Sequence, residues 1–221
     1  MHEFELIKNY FQKLSKKSPS ALKLNDDVFF DKKNRLVVSV DTYVEGNHFI
    51  DFKKPDLVIK KIIRSSISDL ICKGVKPKYY FISGSGNKKS FSKSNLSKIS
   101  KALNQEQNKY KIILSGGDTV FSNKLSFTIT SIGFANNITY RNKAKINDDI
   151  YVSGNLGDSY LGLLVLKNKI KLNQRLKKYF INQYFMPNIQ LQLIVKIKKF
   201  ANTSIDISDG ILAAVSYTHL R

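Results

Sequence analysis

The sequence predicts a mixed α/β fold of the α+β kind, and three observations support it. Apolar runs of strand length alternate with segments of helical periodicity. Two strand signals then stand close together, ahead of a long polar stretch. Finally, 221 residues with 42% hydrophobic content, 14 Phe and 11 Tyr are enough to fill an interior. Domains run to roughly 100 to 200 residues, so this length suits one large domain or two small ones.

The elements follow in chain order. In the opening MHEFELIKNYFQKLSKKS, Phe4, Ile7, Phe11 and Leu14 share one helical face, with Glu3 and Glu5 in the first turn. A secretory leader would need an unbroken apolar core there, and none is present. Residues 15–24 form a polar connection containing Pro19. RLVVSV at 35–40 reads as a strand closed by Asp41, and residues 56–70 carry apolar side chains at helical spacing. Residues 78–83 read as a strand, 95–109 as a surface helix, 111–114 as a short buried strand and 125–134 as a long alternating one. The polar segment 136–149 marks a boundary, giving an expected first domain over 1–140 and a second over 141–221. Beyond it, 150–153 reads as a strand and 158–169 as a helix. Residues 174–200 read as a helical region broken at Pro187, and 204–207 as a strand entering a turn.

Composition excludes several classes. One cysteine, Cys72, rules out an intramolecular disulfide and points to a reducing, cytoplasmic setting. His2, His48 and His219 are too scattered for a local zinc motif, and no apolar run approaches the ~18 residues of a membrane span. The net charge of +20 and pI near 9.9 invite a nucleic-acid reading. Yet the lysines are spread singly and in pairs, with no basic block, and Lys, Asn and Ile are abundant together, as A+T-rich coding produces. No specific nucleic-acid or membrane partner is expected.

With only 17 acids in the chain, their positions are informative. Asp26 and Asp27 are adjacent, Asp41 precedes Thr42, Asp69 follows Ser68, Asp118 sits in GGDT, and Asp206 and Asp209 bracket Ile207 and Ser208 in DISDG. Carboxylates beside Gly, Ser and Thr suit a hard cation such as Mg²⁺, which takes oxygen ligands and completes its shell with water and substrate phosphates. Taken singly, each has an ordinary reading as a turn former or helix cap. The Gly84–Ser90 stretch (GSGNKKS) fits neither GxxxxGK[ST] nor GxGxxG and reads as a surface turn.

The order of these motifs closely resembles the thiamine-monophosphate kinase family. The stretches that carry it are Asn25-Asp26-Asp27, Asp41-Thr42-Tyr43-Val44-Glu45-Gly46-Asn47-His48-Phe49, Ser68-Asp69-Leu70, Gly116-Gly117-Asp118-Thr119, Val152 to Asp158 (VSGNLGD) and Asp206 to Gly210 (DISDG). DTxVEGxHF is the most specific element, and Glu3 to Ile7 (EFELI) is similar to the family's start. The resemblance implies an N-terminal domain like that of aminoimidazole ribonucleotide synthetase, dimerising through its sheet, and an incomplete second α+β domain. It implies ATP and several Mg²⁺ ions in the cleft between them, with the γ-phosphoryl group passed to thiamine monophosphate. Carried over by position, Asp27, Asp41, Asp69, Asp118, Asp206 and Asp209 are the expected metal ligands, with Ser39 and Val40 lining the metal site, Val40 by backbone oxygen at most. Gly117, Asp118, Arg141 and Ser208 are the expected ATP contacts, and His48 the contact to thiamine monophosphate. No general base is assigned.

The sequence departs from the family at Asn25, Ser66 and the Asn147-Asp148 step, none of which removes a metal carboxylate. At 213–221 (AAVSYTHLR) it leaves the pattern altogether, so the chain is expected to be truncated, with weak activity or none. Aminoimidazole ribonucleotide synthetase and selenophosphate synthetase are alternatives of the same architecture; Cys72 does not match the latter's reactive residue.

Overall fold

The structure is a computed structural model and describes residues 3–208 and 210–219. A five-stranded sheet in the order β1-β2-β5-β3-β4 forms its centre. The strands are β1 (Phe29–Asp31), β2 (Leu36–Val44), β3 (Pro77–Gly86), β4 (Ile113–Phe121) and β5 (Ser126–Phe134). All neighbours are antiparallel except β3 and β4. In β2, Val37, Ser39 and Tyr43 are buried and Val40 and Thr42 are exposed, the alternation a strand produces when one face is covered.

The cover is α2 (Pro55–Cys72), whose Val58, Ile59, Ile62, Ile63 and Ile67 are fully buried against Tyr43, Phe127 and Ile129 of the sheet. Each contributes about 1.5–3 kcal/mol of burial. Helix α3 (Lys93–Tyr110) packs on α2 through Ile99, Ala102 and Leu103, capped by the Ser92 hydroxyl, which accepts from Asn95 N. A bidentate Arg64–Glu106 pair, at 2.8 and 3.0 Å, ties the two helices inside the core, and Arg64 also donates to the Pro187 carbonyl. The later helices are α4 (Asp158–Leu166), α5 (Gln174–Phe185), α6 (Leu193–Phe200) and α7 (Ile211–His219). Tyr184 and Phe185 of α5 enter the same core. Among the described residues, no helix is long and apolar enough to cross a membrane.

Four sequence expectations change. The first helix is only α1 (Glu3–Leu6), continued by a π-helical turn (Ile7–Phe11) and a 3₁₀ turn (Leu14–Lys17). Phe11 and Leu14 are exposed, so the apolar face lacks the packing that stabilises a helix this short. Asp41 lies inside β2 rather than at its end, because pairing with β5 continues to Val44. The strand expected at 111–114 is longer, and β4 is an exposed edge rather than a buried strand, so Asp118 is mid-strand. Residues 150–153 and 204–207 form no strand; Ile150 and Tyr151 are exposed, without a neighbouring strand to complete their hydrogen bonds.

Candidate functional site

Where α2 ends beside β2, three stretches of chain bring carboxyl groups together. Strand β2 turns Ser39 and Asp41 inward. The last turns of α2 present Ser68 and Asp69, and the irregular segment before α7 supplies Asp206. That segment is fixed by backbone contacts, Ser204 N donating to the Tyr140 carbonyl at 3.2 Å and the Thr203 hydroxyl to the same oxygen at 2.9 Å.

The partners of these carboxyls are mostly hydroxyls. Ser39 Oγ donates to Asp69 Oδ2 at 2.8 Å, and Tyr43 Oη donates to Asp41 Oδ2 at 3.0 Å. Burial pushes all three acids up. Asp41 rises, partly held back by its bonds to Tyr43 and Asp69. Asp69 is driven well above the usual carboxylate range by burial and then by Asp206 and Asp41, while Asp206 is raised to about 6 by burial. Ser68 Oγ donates to the Ser65 carbonyl at 2.6 Å and to Asp206 Oδ2, and the bond to Asp206 partly offsets the effect of burial.

A second group of acids adjoins the first. Asp26 and Asp27, just before β1, meet Lys73, whose side chain has no exposed surface: Nζ lies 2.8 Å from Asp26 Oδ1 and 2.6 Å from Asp27 Oδ2. Burial alone would lower the Lys73 ammonium, but these carboxylates hold it above its ordinary value. Arg141, also buried, places Nη1 2.7 Å from Asp27 Oδ1 and donates Nε to the Asn25 carbonyl at 3.1 Å. Its backbone N–H donates to Asp26 Oδ2 at 3.1 Å.

The structure thus brings Asp27, Ser39, Asp41, Asp69, Arg141 and Asp206 into one region. Val40 points its side chain to the opposite face of the sheet and is 61% exposed, leaving only its backbone for the site. His48 is exposed in the turn after β2. Val44 N donates to its Nδ1 at 2.9 Å, which puts the proton of the neutral ring on Nε2. Asp118 is not brought in. Register aligns Thr42, Thr128, Ser83 and Asp118 across the sheet, three strand spacings or about 14 Å from β2 to β4, on the face opposite Asp41. Gly117 has a structural reason of its own, since a Cβ there would lie 1.8 Å from the Ile82 carbonyl oxygen. Ser208 is exposed, and Asp209 lies outside the described residues. Sequence reasoning missed Lys73 and Tyr43. A lysine just past an apolar helix reads as a surface cation on the helix dipole, and nothing in its neighbours announces burial.

All-oxygen donors fit a hard cation rather than a soft one. Among the described residues, no three His, Cys, Asp or Glu side chains already converge as a ready cation site, so an ion would draw the carboxylates in and keep waters of its own.

Residues 24–135 match the family described as "AIR synthase related protein, N-terminal domain". The thiamine-monophosphate kinase of Buchnera aphidicola subsp. Schizaphis graminum is 36% identical over 98% of this chain and 68% of its own length. That of Haemophilus influenzae is 33% identical over 98% and 67%. Among solved structures, a complex described as "AaThiL complexed with AMPPCP and TMP" superposes with a TM-score of 0.87 at 28% identity, covering 97% of this chain and 68% of that one. The chain therefore spans about two thirds of the length of these relatives, and it belongs to the thiamine-monophosphate kinase family.

Proposed function

We propose that the protein transfers the γ-phosphoryl group of ATP to the phosphate of thiamine monophosphate, giving thiamine diphosphate, with Mg²⁺ as the metal. The observation that carries this reading is the crowding of Asp41, Asp69 and Asp206, from three distant chain segments, into a buried group where ionisation is unfavourable unless a cation arrives. Bound Mg²⁺ supplies neutralisation of the triphosphate and a template that aligns it. Asp41, Asp69 and Asp206 hold the ions, with Ser39 orienting Asp69 and the Val40 backbone beside them. Asp27 belongs to the same set as the member already faced by Lys73 and Arg141. For Asp118, Asp209, Gly117 and Ser208 the support is the motif match.

The acceptor is a phosphate oxygen, already ionised at neutral pH, so the residues here need only position and neutralise. His48, with its proton on Nε2, has a donor suited to the thiamine phosphate. Arg141, through its planar fork, links Asp27 to the nucleotide side. The protein is proposed to be a cytoplasmic homodimer. Phe29, Val40, Phe81 and Phe134 on the outer sheet face are 36–61% exposed, an apolar surface that a second copy would cover. The division into domains near residue 140 is proposed on the absence of any helix or strand between β5 and α4.

The test is ADP formation by the protein, with and without thiamine monophosphate. ADP should appear only with it, and Asp41→Asn should lower the rate at least 100-fold. An unaffected Asp41→Asn enzyme would sink the site assignment.

A further inference from the structure

Lys73 has no task in the transfer just described, yet it occupies the centre of the acidic region. It follows the last residue of α2, and its side chain is wholly buried. Its ammonium meets Asp26 Oδ1 at 2.8 Å, Asp27 Oδ2 at 2.6 Å and the Ser204 carbonyl at 3.1 Å. The first two contacts are ion pairs and the third is a hydrogen bond, so the ammonium is held among three oxygens. Two carboxylate oxygens and a carbonyl oxygen are also a donor set for a hard divalent ion. Here the cage is filled by a cation that belongs to the chain.

The location matters as much as the contacts. Lys73 is four residues from Asp69 on one side, and through Ser204 it holds the segment that carries Asp206. It therefore touches the Asp26–Asp27 pair and the mount of the opposing carboxylate together, while its lack of exposure keeps it away from any substrate.

We infer that Lys73 is a built-in cation, standing where the Asp26–Asp27 pair would otherwise take a divalent ion. The inference rests on the reading that this acidic region holds Mg²⁺. It has two consequences. The pocket loads one divalent ion fewer than the same pocket would with a neutral residue at 73. The Asp26–Asp27 half also stays assembled at any Mg²⁺ concentration, leaving Asp41, Asp69 and Asp206 as the half that exchanges metal. Lys73 is then a positioning residue rather than a catalytic one. An ordinary structural ion pair would predict no change in metal number when Lys73 is neutralised.

The test counts Mn²⁺, a paramagnetic substitute for Mg²⁺, by the electron paramagnetic resonance of the free ion, with AMPPCP present. The unaltered protein and Lys73→Met, of similar length and without charge, are compared. Lys73→Met should bind one further Mn²⁺ per chain, and the double variant with Asp26→Asn should hold that extra ion at least tenfold more weakly. In the unaltered background, Asp26→Asn should change Mn²⁺ affinity less than twofold, whereas Asp206→Asn should weaken it at least tenfold. Equal Mn²⁺ counts in Lys73→Met and the parent overturn the inference and leave the metal reading standing. Absence of Mn²⁺ binding to both overturns the metal reading, and the inference with it. A Lys73→Met chain that folds only when Mn²⁺ is present supports the proposal, because the ion has taken over the missing charge. Should that variant not fold under either condition, Asp26→Asn decides: a change under twofold supports the proposal, and a larger loss overturns it.

Discussion

The two halves of the acidic region solve the same electrostatic problem in opposite ways. Asp26 and Asp27 face Lys73 and Arg141 within 2.6–2.8 Å, so their charge is answered inside the fold. Asp41 and Asp69 face the hydroxyls of Tyr43 and Ser39, Asp206 meets that of Ser68, and burial raises all three. A hydroxyl donates one hydrogen bond but carries no compensating charge. The first half is therefore complete without ligand, and the second is stable only when protonated or when a cation supplies the charge. One chain thus uses the same residue type as a structural tie and as a site held ready for an ion.

The largest test of that contrast is Asp69→Asn. Activity should fall by about 10³, or about 4 kcal/mol of transition-state stabilisation, because a ligand is lost where the phosphoryl group is neutralised. Stability in EDTA should stay level or rise by ~1 kcal/mol, since a buried carboxyl crowded by its neighbours is removed. Urea melts beside initial rates would show it; a large loss of stability would break the comparison.

The mirror substitution lies in the balanced half. Arg141→Met should destabilise the metal-free protein by about 3 kcal/mol, because Asp27 Oδ1 and the Asn25 carbonyl lose a buried partner. Added Mg²⁺ should recover little of this loss. Urea melts of the variant with and without Mg²⁺ check both statements, and a neutral outcome would mean that Lys73 alone balances the pair.

pH separates the halves in the unaltered protein. Asp206 has its folded value near 6, above the ordinary carboxylate value of 3.8. Between these, the unfolded chain has released its proton while the folded chain still binds one. Stability therefore falls as pH rises from about 4 to about 6, by ~2–3 kcal/mol for this group, and the loss is complete above that range. This is the reverse of ordinary acid denaturation. Saturating Mg²⁺ should flatten the profile, and thermal melts from pH 4 to 8 with and without the ion would show whether it does.

Much of this was legible in the sequence. The alternation of Val37, Ser39 and Tyr43 marks the inner face of β2, and the isoleucines of α2 mark the helix that covers it. Of the motif aspartates, Asp27, Asp41, Asp69 and Asp206 lie close enough in the structure to influence one another. What was not legible depends on contacts distant in sequence. The apolar stretch at 150–153 reads as a strand only if a neighbouring strand is assumed. Asp118 in GGDT reads as a turn residue until the parallel pairing of β4 with β3 extends the strand through it. Lys73 looks like any of the lysines behind the +20 charge, and only the return of the chain at Asp26, Asp27 and Ser204 buries it.

The smallest effect tests whether the hydroxyls of the unbalanced half matter at all. Ser39 is 2% exposed and donates to Asp69 Oδ2 at 2.8 Å, the one bond there that holds the Asp69 carboxyl down against burial, Asp206 and Asp41. Ser39→Ala removes it and leaves a gap too small to admit a replacement water readily. The metal-free protein should lose about 1–2 kcal/mol, and the loss should be larger at pH 8 than at pH 4, because a bond to a carboxylate is stronger than one to a carboxylic acid. Urea melts at the two pH values give the difference directly. A loss equal at both would mean that Ser39 serves packing alone, and that the unbalanced half relies on its ion without help from the strand.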